Sequence, residues 1–340
     1  MNPKLSIIVV VYRMSRQAMN TLYSLSAQYQ RNVCEADYEV LVMENLSDDS
    51  LHAESVTALG NNFRYFPRQE TSVSPVYAIN EGFHHAQAPF IGLIIDGARI
   101  VTPRIVEYAL AVARTSANPL VAAPTFNLGP FLHYQNIDNQ YDEETEKQLL
   151  AQTQWQKNGY RLFDICNLGE ANPRGIFQPF MESNCYFTSK NNFAAIGYAD
   201  TQFQYAGGGS LNLHMFRSIG MLEQCKHYWM MVGEGSFHQL HGGVTTSQQD
   251  TQNRDQALKQ FREQLETLWG GRFPALEREP LLIGSANSHA QNFLHYSSVR
   301  GQIRYNRLHE KSRVFCQDDW NRTAFYYQRD SEDITKFDPR

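Results

Sequence analysis

Polar side chains follow three of the apolar runs that we predict to be β-strands. The first run ends in Tyr12, the second in Glu44, Asn45 and Ser47, and a later one in Asp96. A lone acid at a strand end is usually a turn or helix-cap residue. In an open α/β sheet, however, ligands bind outside the carboxyl ends of the parallel strands, so residues that end several strands can share one site. Carboxylates there can accept hydrogen bonds from a ligand or coordinate a hard divalent cation.

The elements that must position these residues alternate along the first third of the chain. Leu5 to Tyr12 is a β-branched run without alternation, which is typical of a strand buried on both faces. A helix is predicted after it, and Ser15 can supply the N-cap. Further strands are predicted at 38–43, 63–66, 90–95 and 120–124, and further helices at 76–86 and 105–114. This alternation indicates a doubly wound α/β fold, a mixed but mainly parallel sheet flanked by helices.

The later sequence predicts more elements of the same domain and then an extension. We predict strands at 182–188 and 227–232, helices at 190–196 and 210–219, and a Gly-rich turn at 207–209. The acidic, Gln-rich stretch 138–157 indicates a surface helix or an insertion, which can overhang the site. A polar loop is predicted at 245–254, followed by an amphipathic helix through Leu258 and Leu268. The predicted division is a domain at 1–244, with halves 1–125 and 126–244, and a helical, aromatic-rich extension at 245–340.

Two histidines form a second candidate group. His238 and His241 lie three residues apart, just before Gly242 and Gly243. Imidazole is a common metal ligand, and glycines allow a backbone to approach a ligand closely. A core histidine followed by a turn histidine would show the same spacing, so both interpretations stay open. If one of the two is a ligand, we favour His241.

Taken together, these motifs resemble those of glycosyltransferase family 2. In that family the first strand ends in Val-x-Tyr, the second in an acid followed by Asn-x-Ser-x-Asp, and the fourth in Asp-x-Asp. Residues 10–12, 44–49 and 96–98 match this order, except that Ala98 replaces the second acid of Asp-x-Asp. Residues 78–82 match the family's Ala-x-Asn-x-Gly helix. The resemblance covers about residues 4–240.

The resemblance implies a GT-A fold and a nucleotide-sugar donor. It implies that the base packs near Tyr12 and that Glu44, Asn45, Ser47 and Asn80 contribute to nucleotide binding.

The resemblance also implies a divalent cation, Mn²⁺ or Mg²⁺, bound by Asp96 and bridging the two phosphates of the donor. A late histidine completes such sites in some enzymes of this fold, which assigns His241 or His238 to the metal.

A catalytic base is missing where the resemblance implies one. The family's Glu-Asp pair falls on Gly208, Gly209 and Ser210. Inversion by direct displacement needs a carboxylate to take the proton of the acceptor hydroxyl, so we predict that Glu182 or Asp200 does so. A structural, hydrogen-bonded role is an equally good interpretation of Glu182. The two glycines and Ser210 would instead offer backbone amides to an anionic group of donor or acceptor.

Composition excludes several other classes of protein. The net charge is -5, and no basic run is long enough to follow a nucleic-acid backbone. The five cysteines are scattered without a C-x-x-C pair, which indicates reduced thiols. No apolar run is long enough for a transmembrane helix. We therefore expect a cytoplasmic protein without a nucleic-acid partner, with contact at the inner membrane face and self-association left open.

These observations predict an inverting glycosyltransferase that moves a sugar from a nucleotide-diphosphate donor, in the first instance a UDP-sugar, to a glycan or lipid-linked acceptor. The missing acids at Ala98 and Gly209 leave an alternative open, a catalytically inactive module of the same fold that binds a nucleotide-sugar or glycan. A nucleotidyltransferase is a third and weaker hypothesis, because no Gly-rich loop bearing Arg and Lys follows the first strand.

Overall fold

The computed structural model describes residues 2–129, 141–169, 171–172, 174–242, 251–271, 274, 276 and 278–298. Gly243, the predictions for 138–140 and 245–250, and the aromatic end of the chain from Tyr305 onward lie outside these residues.

The described strands form two sheets. In chain order they are β1 Leu5–Val11, β2 Tyr38–Asn45, β3 Phe63–Arg68, β4 Phe90–Ile94, β5 Arg99–Val101, β6 Leu120–Ala122, β7 Thr125–Leu128, β8 Cys166–Leu168, β9 Cys185–Ser189, β10 Tyr228–Val232, β11 Ser236–His238 and β12 Leu281–Gly284. The main sheet has the order β12-β10-β6-β9-β4-β1-β2-β3. Only β9 runs against its described neighbours, β4 and β6. The predicted mixed and mainly parallel sheet is therefore confirmed.

The direction of β9 matters for the site. Because β9 is antiparallel to β4, its first residue, Cys185, pairs with Ile94, the last residue of β4. The residues just before β9 therefore lie at the same edge as the carboxyl ends of the parallel strands. This edge receives both Asp96 and Glu182.

The second sheet, ordered β5-β11-β7-β8, is absent from the sequence predictions. Its strands have only three or four residues, which is too short for a hydrophobic period to show. The antiparallel pairing of β11 with β5 sets His238 opposite Arg99. The small sheet thereby joins a late segment of the chain to the residues after β4.

Helices flank the sheets. They are α1 Ser15–Ser24, α2 Ala53–Thr57, α3 Val76–His85, α4 Ile105–Ala113, α5 Glu143–Thr153, α6 Lys190–Ala195, α7 Leu211–Met221 and α8 Thr251–Trp269, and residues 291–298 are also helical. Short 3₁₀ turns occupy Gly159–Ile165, Ala206–Gly208 and Ser288–Ala290. In the described part of the chain, no helix has both the length and the apolar character needed to cross a membrane.

Three sequence predictions are corrected by these elements. Ser15 does not cap α1 with its side chain, because it is the first helical residue; the Asp49 carboxylate instead accepts from the Ser15 amide at 3.2 Å. The loop predicted at 245–254 is wrong for 251–254, which begin α8, since Gln and Arg are good helix formers despite their polarity. The extension is not purely helical, because the apolar run Leu281–Gly284 adds a parallel strand beside β10.

The Ala-x-Asn-x-Gly segment of α3 has a clear packing role. A Cβ atom at Gly82 would lie 2.7 Å from Cγ2 of Ile8, so only glycine lets α3 approach β1 this closely. The Asn80 side chain donates to the Ala199 carbonyl at 2.9 Å and accepts from the Ala199 amide at 3.0 Å. Asn80 therefore ties α3 to the loop after α6, and the nucleotide contact expected of it stays a prediction.

Candidate functional site

Asp96 lies in a tight turn directly after β4. Gly97 makes the turn possible, since a Cβ atom there would come within 2.9 Å of Cγ2 of Val11 and 3.0 Å of the Val10 carbonyl oxygen. The Asp96 Oδ1 atom accepts from the Ala98 amide at 2.9 Å. Its Oδ2 atom lies 3.2 Å from Nη2 of Arg99. The turn thus fixes Oδ1 locally and presents Oδ2 to other groups.

Position 98 cannot supply the missing second acid in this conformation. The Ala98 side chain is fully buried among the apolar residues that cover one face of the main sheet. Its carbonyl accepts from the Gln239 amide at 2.9 Å. A carboxylate at this position would be placed in the apolar core, so position 98 does not offer a second acid beside Asp96.

Both candidate histidines meet Asp96. The Oδ2 atom of Asp96 lies 2.9 Å from Nε2 of His238 and 3.6 Å from Nε2 of His241. The two Nε2 atoms are 3.0 Å apart. Adjacent ligands of an octahedral ion at about 2.1 Å lie about 3.0 Å from one another, so this spacing suits a divalent cation. Within the described residues, Asp96, His238 and His241 form a group able to hold a metal ion, which we call the cation cluster.

The protonation states in the cation cluster suit metal binding. Burial opposes ionisation of Asp96, but the neighbouring side chains of His241, His238 and Arg99 outweigh it and hold the pKa of Asp96 well below its usual value. Burial, together with the Arg99 charge, lowers the pKa of His238 to about 3. Both shifts favour the ionised carboxylate of Asp96 and the neutral imidazole of His238, which are the forms in which these side chains coordinate metals.

A hydrogen-bond network positions the histidine segment. The buried Gln239 side chain donates to the Gln17 carbonyl at 2.9 Å and accepts from Nδ2 of Asn20 at 2.8 Å. The Leu240 carbonyl accepts from Nε2 of Gln17 at 2.8 Å, and its amide donates to Oε2 of Glu146 at 2.6 Å. Glu146 belongs to α5, so the acidic helix contacts the histidine segment. α1 and α5 together hold the residues between the two histidines.

Replacing Gln239 with leucine should weaken Mn²⁺ binding by about 10- to 100-fold, the usual effect of losing an interaction that orients metal ligands. The leucine removes the acceptor of the Asn20 amide and one of the donors to the Gln17 carbonyl, so the histidine segment loses its side-chain hydrogen bonds to α1 at residue 239. Binding is measured by Mn²⁺ titration with electron paramagnetic resonance.

Gln30 provides the matched control for this experiment. It is also buried, and its Nε2 atom donates to the carbonyls of Ser24 and Thr102 while its Oε1 atom accepts from the Val106 amide. Gln30→Leu should lower the midpoint of thermal unfolding but leave Mn²⁺ affinity unchanged. Equal Mn²⁺ affinity in Gln239→Leu and Gln30→Leu would remove the positioning role of Gln239.

The predicted nucleotide residues line the same edge but are largely engaged with protein groups. Glu44 is fully buried, and its carboxylate accepts from the Leu51 amide at 3.0 Å and from the Tyr65 hydroxyl. Burial raises the pKa of Glu44 above its usual value. The Ser47 hydroxyl accepts from the Asp49 amide at 3.2 Å. Glu44 and Ser47 thus shape the loop after β2, and their nucleotide contacts stay predictions.

Unlike Glu44 and Asn45, which are buried, Tyr12 is 46% exposed directly after β1. An exposed ring at a ligand-binding edge is available for stacking on a planar group.

Arg68 was not singled out from the sequence, yet it connects the end of β3 to its surroundings. It donates to Oδ1 of Asn45 at 2.7 Å and to Oε2 of Glu81 at 2.6 Å. It also lines a cavity of about 560 Å³. The other lining residues are Glu70, Thr71, Ser72, Val73, Tyr77 and Gln204. Through Arg68 the cavity adjoins Asn45 at the end of β2, and the residues of the cation cluster do not line it.

Glu182, one of the two predicted bases, interacts electrostatically with Arg99, which contacts Asp96 of the cation cluster. Its Oε2 atom accepts from Nδ2 of Asn212 at 3.0 Å. Burial raises the pKa of Glu182, and the Asn212 hydrogen bond and the charges of Arg217 and Arg99 offset part of that rise. Asp200 instead accepts from the amide of Gln202 two residues later at 2.9 Å, in a turn after α6. Both catalytic roles stay predictions.

The glycine turn predicted to bind an anion packs against α8. A Cβ atom at Gly209 would lie 3.0 Å from the Phe261 ring, and a Cβ atom at Gly208 would lie 3.0 Å from Pro75. The Ser210 hydroxyl faces the Phe261 carbonyl at 3.4 Å. Close packing explains the glycines without a ligand, and their contact with an anionic group stays a prediction.

Comparisons with known proteins give structural neighbours only. No protein-family model matches the sequence, and no curated protein sequence matches it. A structure of S. aureus TarS 1-349 with UDP has a TM-score of 0.48 at 12% identity, covering 78% of this chain and 72% of that one. The structure of the same protein with UDP-GlcNAc has a TM-score of 0.48 at 12% identity, covering 94% of this chain and 79% of that one. A third neighbour is glucosyl-3-phosphoglycerate synthase from Mycobacterium tuberculosis, in complex with Mn²⁺, UDP and glucosyl-3-phosphoglycerate. Its TM-score is 0.48 at 13% identity, and the match covers 80% of this chain and 81% of that one.

Proposed function

We propose that this protein is a glycosyltransferase that uses a nucleotide-diphosphate sugar, with Asp96, His238 and His241 holding its divalent cation. The main support is the convergence of one carboxylate oxygen and two imidazole nitrogens at the carboxyl edge of the sheet. A cation bound there would neutralise negative charge on a departing diphosphate. Two imidazole ligands favour Mn²⁺ over Mg²⁺, because Mg²⁺ prefers oxygen ligands.

The donor is assigned to the half formed by residues 1–125. The exposed Tyr12 ring can stack on a nucleobase. The cavity beside Asn45 and Arg68 has room for a nucleoside or sugar. We propose a UDP-sugar as the donor, in keeping with the family 2 resemblance of the strand-end residues.

The acceptor is assigned to the half formed by residues 126–244, and we propose that it is a glycan or a lipid-linked sugar. In the proposed reaction the oxygen of the acceptor hydroxyl attacks the anomeric carbon, and Glu182 takes the proton of that hydroxyl. The bond to the donor diphosphate breaks at the same time, and the nucleoside diphosphate leaves with the electron pair. Direct displacement of this kind inverts the configuration at the anomeric carbon.

The test is thermal unfolding with UDP-, GDP-, CMP- and dTDP-sugars, each with and without Mn²⁺. A ligand at a hundredfold excess over its Kd adds about 2.7 kcal/mol of stability, which raises the unfolding midpoint by several degrees in a protein of this size. We expect one nucleotide to give a shift that Mn²⁺ enhances. The absence of any shift across the panel would contradict the proposed donor site.

The same panel separates transfer from binding alone. A transferase slowly hydrolyses its correct donor to free nucleotide, so release of UDP from the stabilising sugar nucleotide is the second readout. Stabilisation without any release would favour the alternative module that binds a nucleotide-sugar without transferring it. The close packing of Phe261 on Gly209, where the family resemblance implied an acid, makes this second measurement necessary.

A further inference from the structure

Arg99 is a buried cation directly beside the cation cluster. Its side chain is 7% exposed, and its Nη2 atom lies 3.2 Å from Oδ2 of Asp96, the oxygen that also faces His238 and His241. Within the described residues, its Nε and Nη1 atoms are buried without a hydrogen-bond partner. Leaving buried donors of a charged group unpaired is costly, so a purely structural ion pair explains this arrangement poorly.

The charges around Asp96 indicate how Arg99 affects the binding of a divalent cation and of a diphosphate. The Asp96 carboxylate and the Arg99 guanidinium carry opposite single charges, so they nearly cancel before any ligand binds. A divalent cation would therefore leave the site with about two positive charges, whereas a site of two carboxylates would be left near zero. The diphosphate of a sugar nucleotide carries about two negative charges, which balance the two positive charges of the site that contains Arg99.

We propose that Arg99 is a built-in counter-charge for the donor diphosphate, which it attracts while lowering the affinity of the cation cluster for a divalent cation. This inference rests on the proposed function and specifies how its donor site differs from one with two acids. Arg99 repels a divalent cation and competes with it for Oδ2 of Asp96. The same charge attracts a diphosphate, so UDP should bind measurably even without metal.

A neutral residue at position 99 should therefore change the two affinities in opposite directions. In Arg99→Met, Mn²⁺ affinity without nucleotide should rise on the order of tenfold, and metal-free UDP affinity should fall on the order of tenfold. Arg99→Gln provides a second neutral variant should the methionine variant fail to fold. Arg99→Lys keeps the charge and should retain most of both wild-type affinities. Mn²⁺ is titrated by electron paramagnetic resonance, and UDP and uridine by calorimetry in EDTA.

The control is Arg104→Met, which removes an arginine that pairs with Glu107 and has no contact with the cation cluster. It should leave Mn²⁺ and UDP affinities unchanged. Uridine, which lacks phosphates, should bind equally to wild type and to the Arg99 variants.

A loss of both affinities in the neutral variants, or no change in either, would overturn the assignment and leave Arg99 a structural partner of Asp96. That result is distinguishable from failure of the proposed function. If wild-type protein binds UDP and the neutral variants bind it equally tightly without metal, only the counter-charge is wrong. If wild-type protein binds no nucleotide with or without Mn²⁺, both proposals fail.

Discussion

Replacing Asp96 with asparagine should reduce Mn²⁺ affinity by more than about 100-fold and abolish the Mn²⁺-dependent stabilisation by UDP. Changes to groups that merely orient metal ligands already cost about 10- to 100-fold, so loss of the only carboxylate in the cluster should cost more. Asparagine keeps the size of the side chain and its Oδ1 acceptor for the Ala98 amide. The turn should therefore persist while the anionic ligand is lost.

Mn²⁺ titration and thermal unfolding with UDP measure these effects. Asp164→Asn is the matched control, because Asp164 pairs with His289 at the surface, apart from the cation cluster. It should bind Mn²⁺ and UDP as wild type does. If Asp96→Asn retained wild-type Mn²⁺ affinity, the cation cluster would have to be interpreted as a structural His–Asp network.

Replacing Glu182 with glutamine should lower the rate of sugar transfer on the order of 10²- to 10⁴-fold, the usual contribution of a general base. Glutamine keeps an oxygen that can accept from Asn212 but cannot take a proton. Binding of Mn²⁺ and UDP should be unchanged, because Glu182 has no part in either. The comparison is made with the donor identified by thermal unfolding, following release of UDP.

The pH dependence gives a second test of Glu182. Burial raises the pKa of this carboxyl above the usual value for glutamate. A base must be ionised to act, so the rate should be lost as the pH falls through this raised pKa and restored above it. Glu182→Gln should remove this acid limb of the profile. Asp200→Asn should leave both rate and profile intact, and a large loss in that variant instead would identify Asp200 as the base.

The central strands and the strand-end residues were predictable from the sequence. β1, β2 and β4 are mainly apolar segments that are buried over their whole length, and such segments form parallel strands covered on both faces. The position of Asp96 at the carboxyl edge follows from that pattern alone.

The composition of the cation cluster was only partly predictable. Residues 238 and 241 were candidates, with His241 favoured, but whether either meets Asp96 depends on the pairing of β11 with β5. That pairing joins segments more than a hundred residues apart and involves strands of three residues, which leave no periodic signal in the sequence. The tertiary structure brings both histidines to Asp96.

Other features depend entirely on how distant segments pack. The sequence alone determined the α/β class, the strand ends that carry polar groups and the absence of the expected acids at 98 and 209. Only the tertiary structure decided that Arg99 lies against Asp96, that antiparallel β9 brings Glu182 to the same edge, and that α8 covers Gly209. The physical reason is that hydrophobic periodicity specifies which face of each element is buried, whereas side-chain directions in turns and contacts between elements are fixed by packing among residues far apart in the chain.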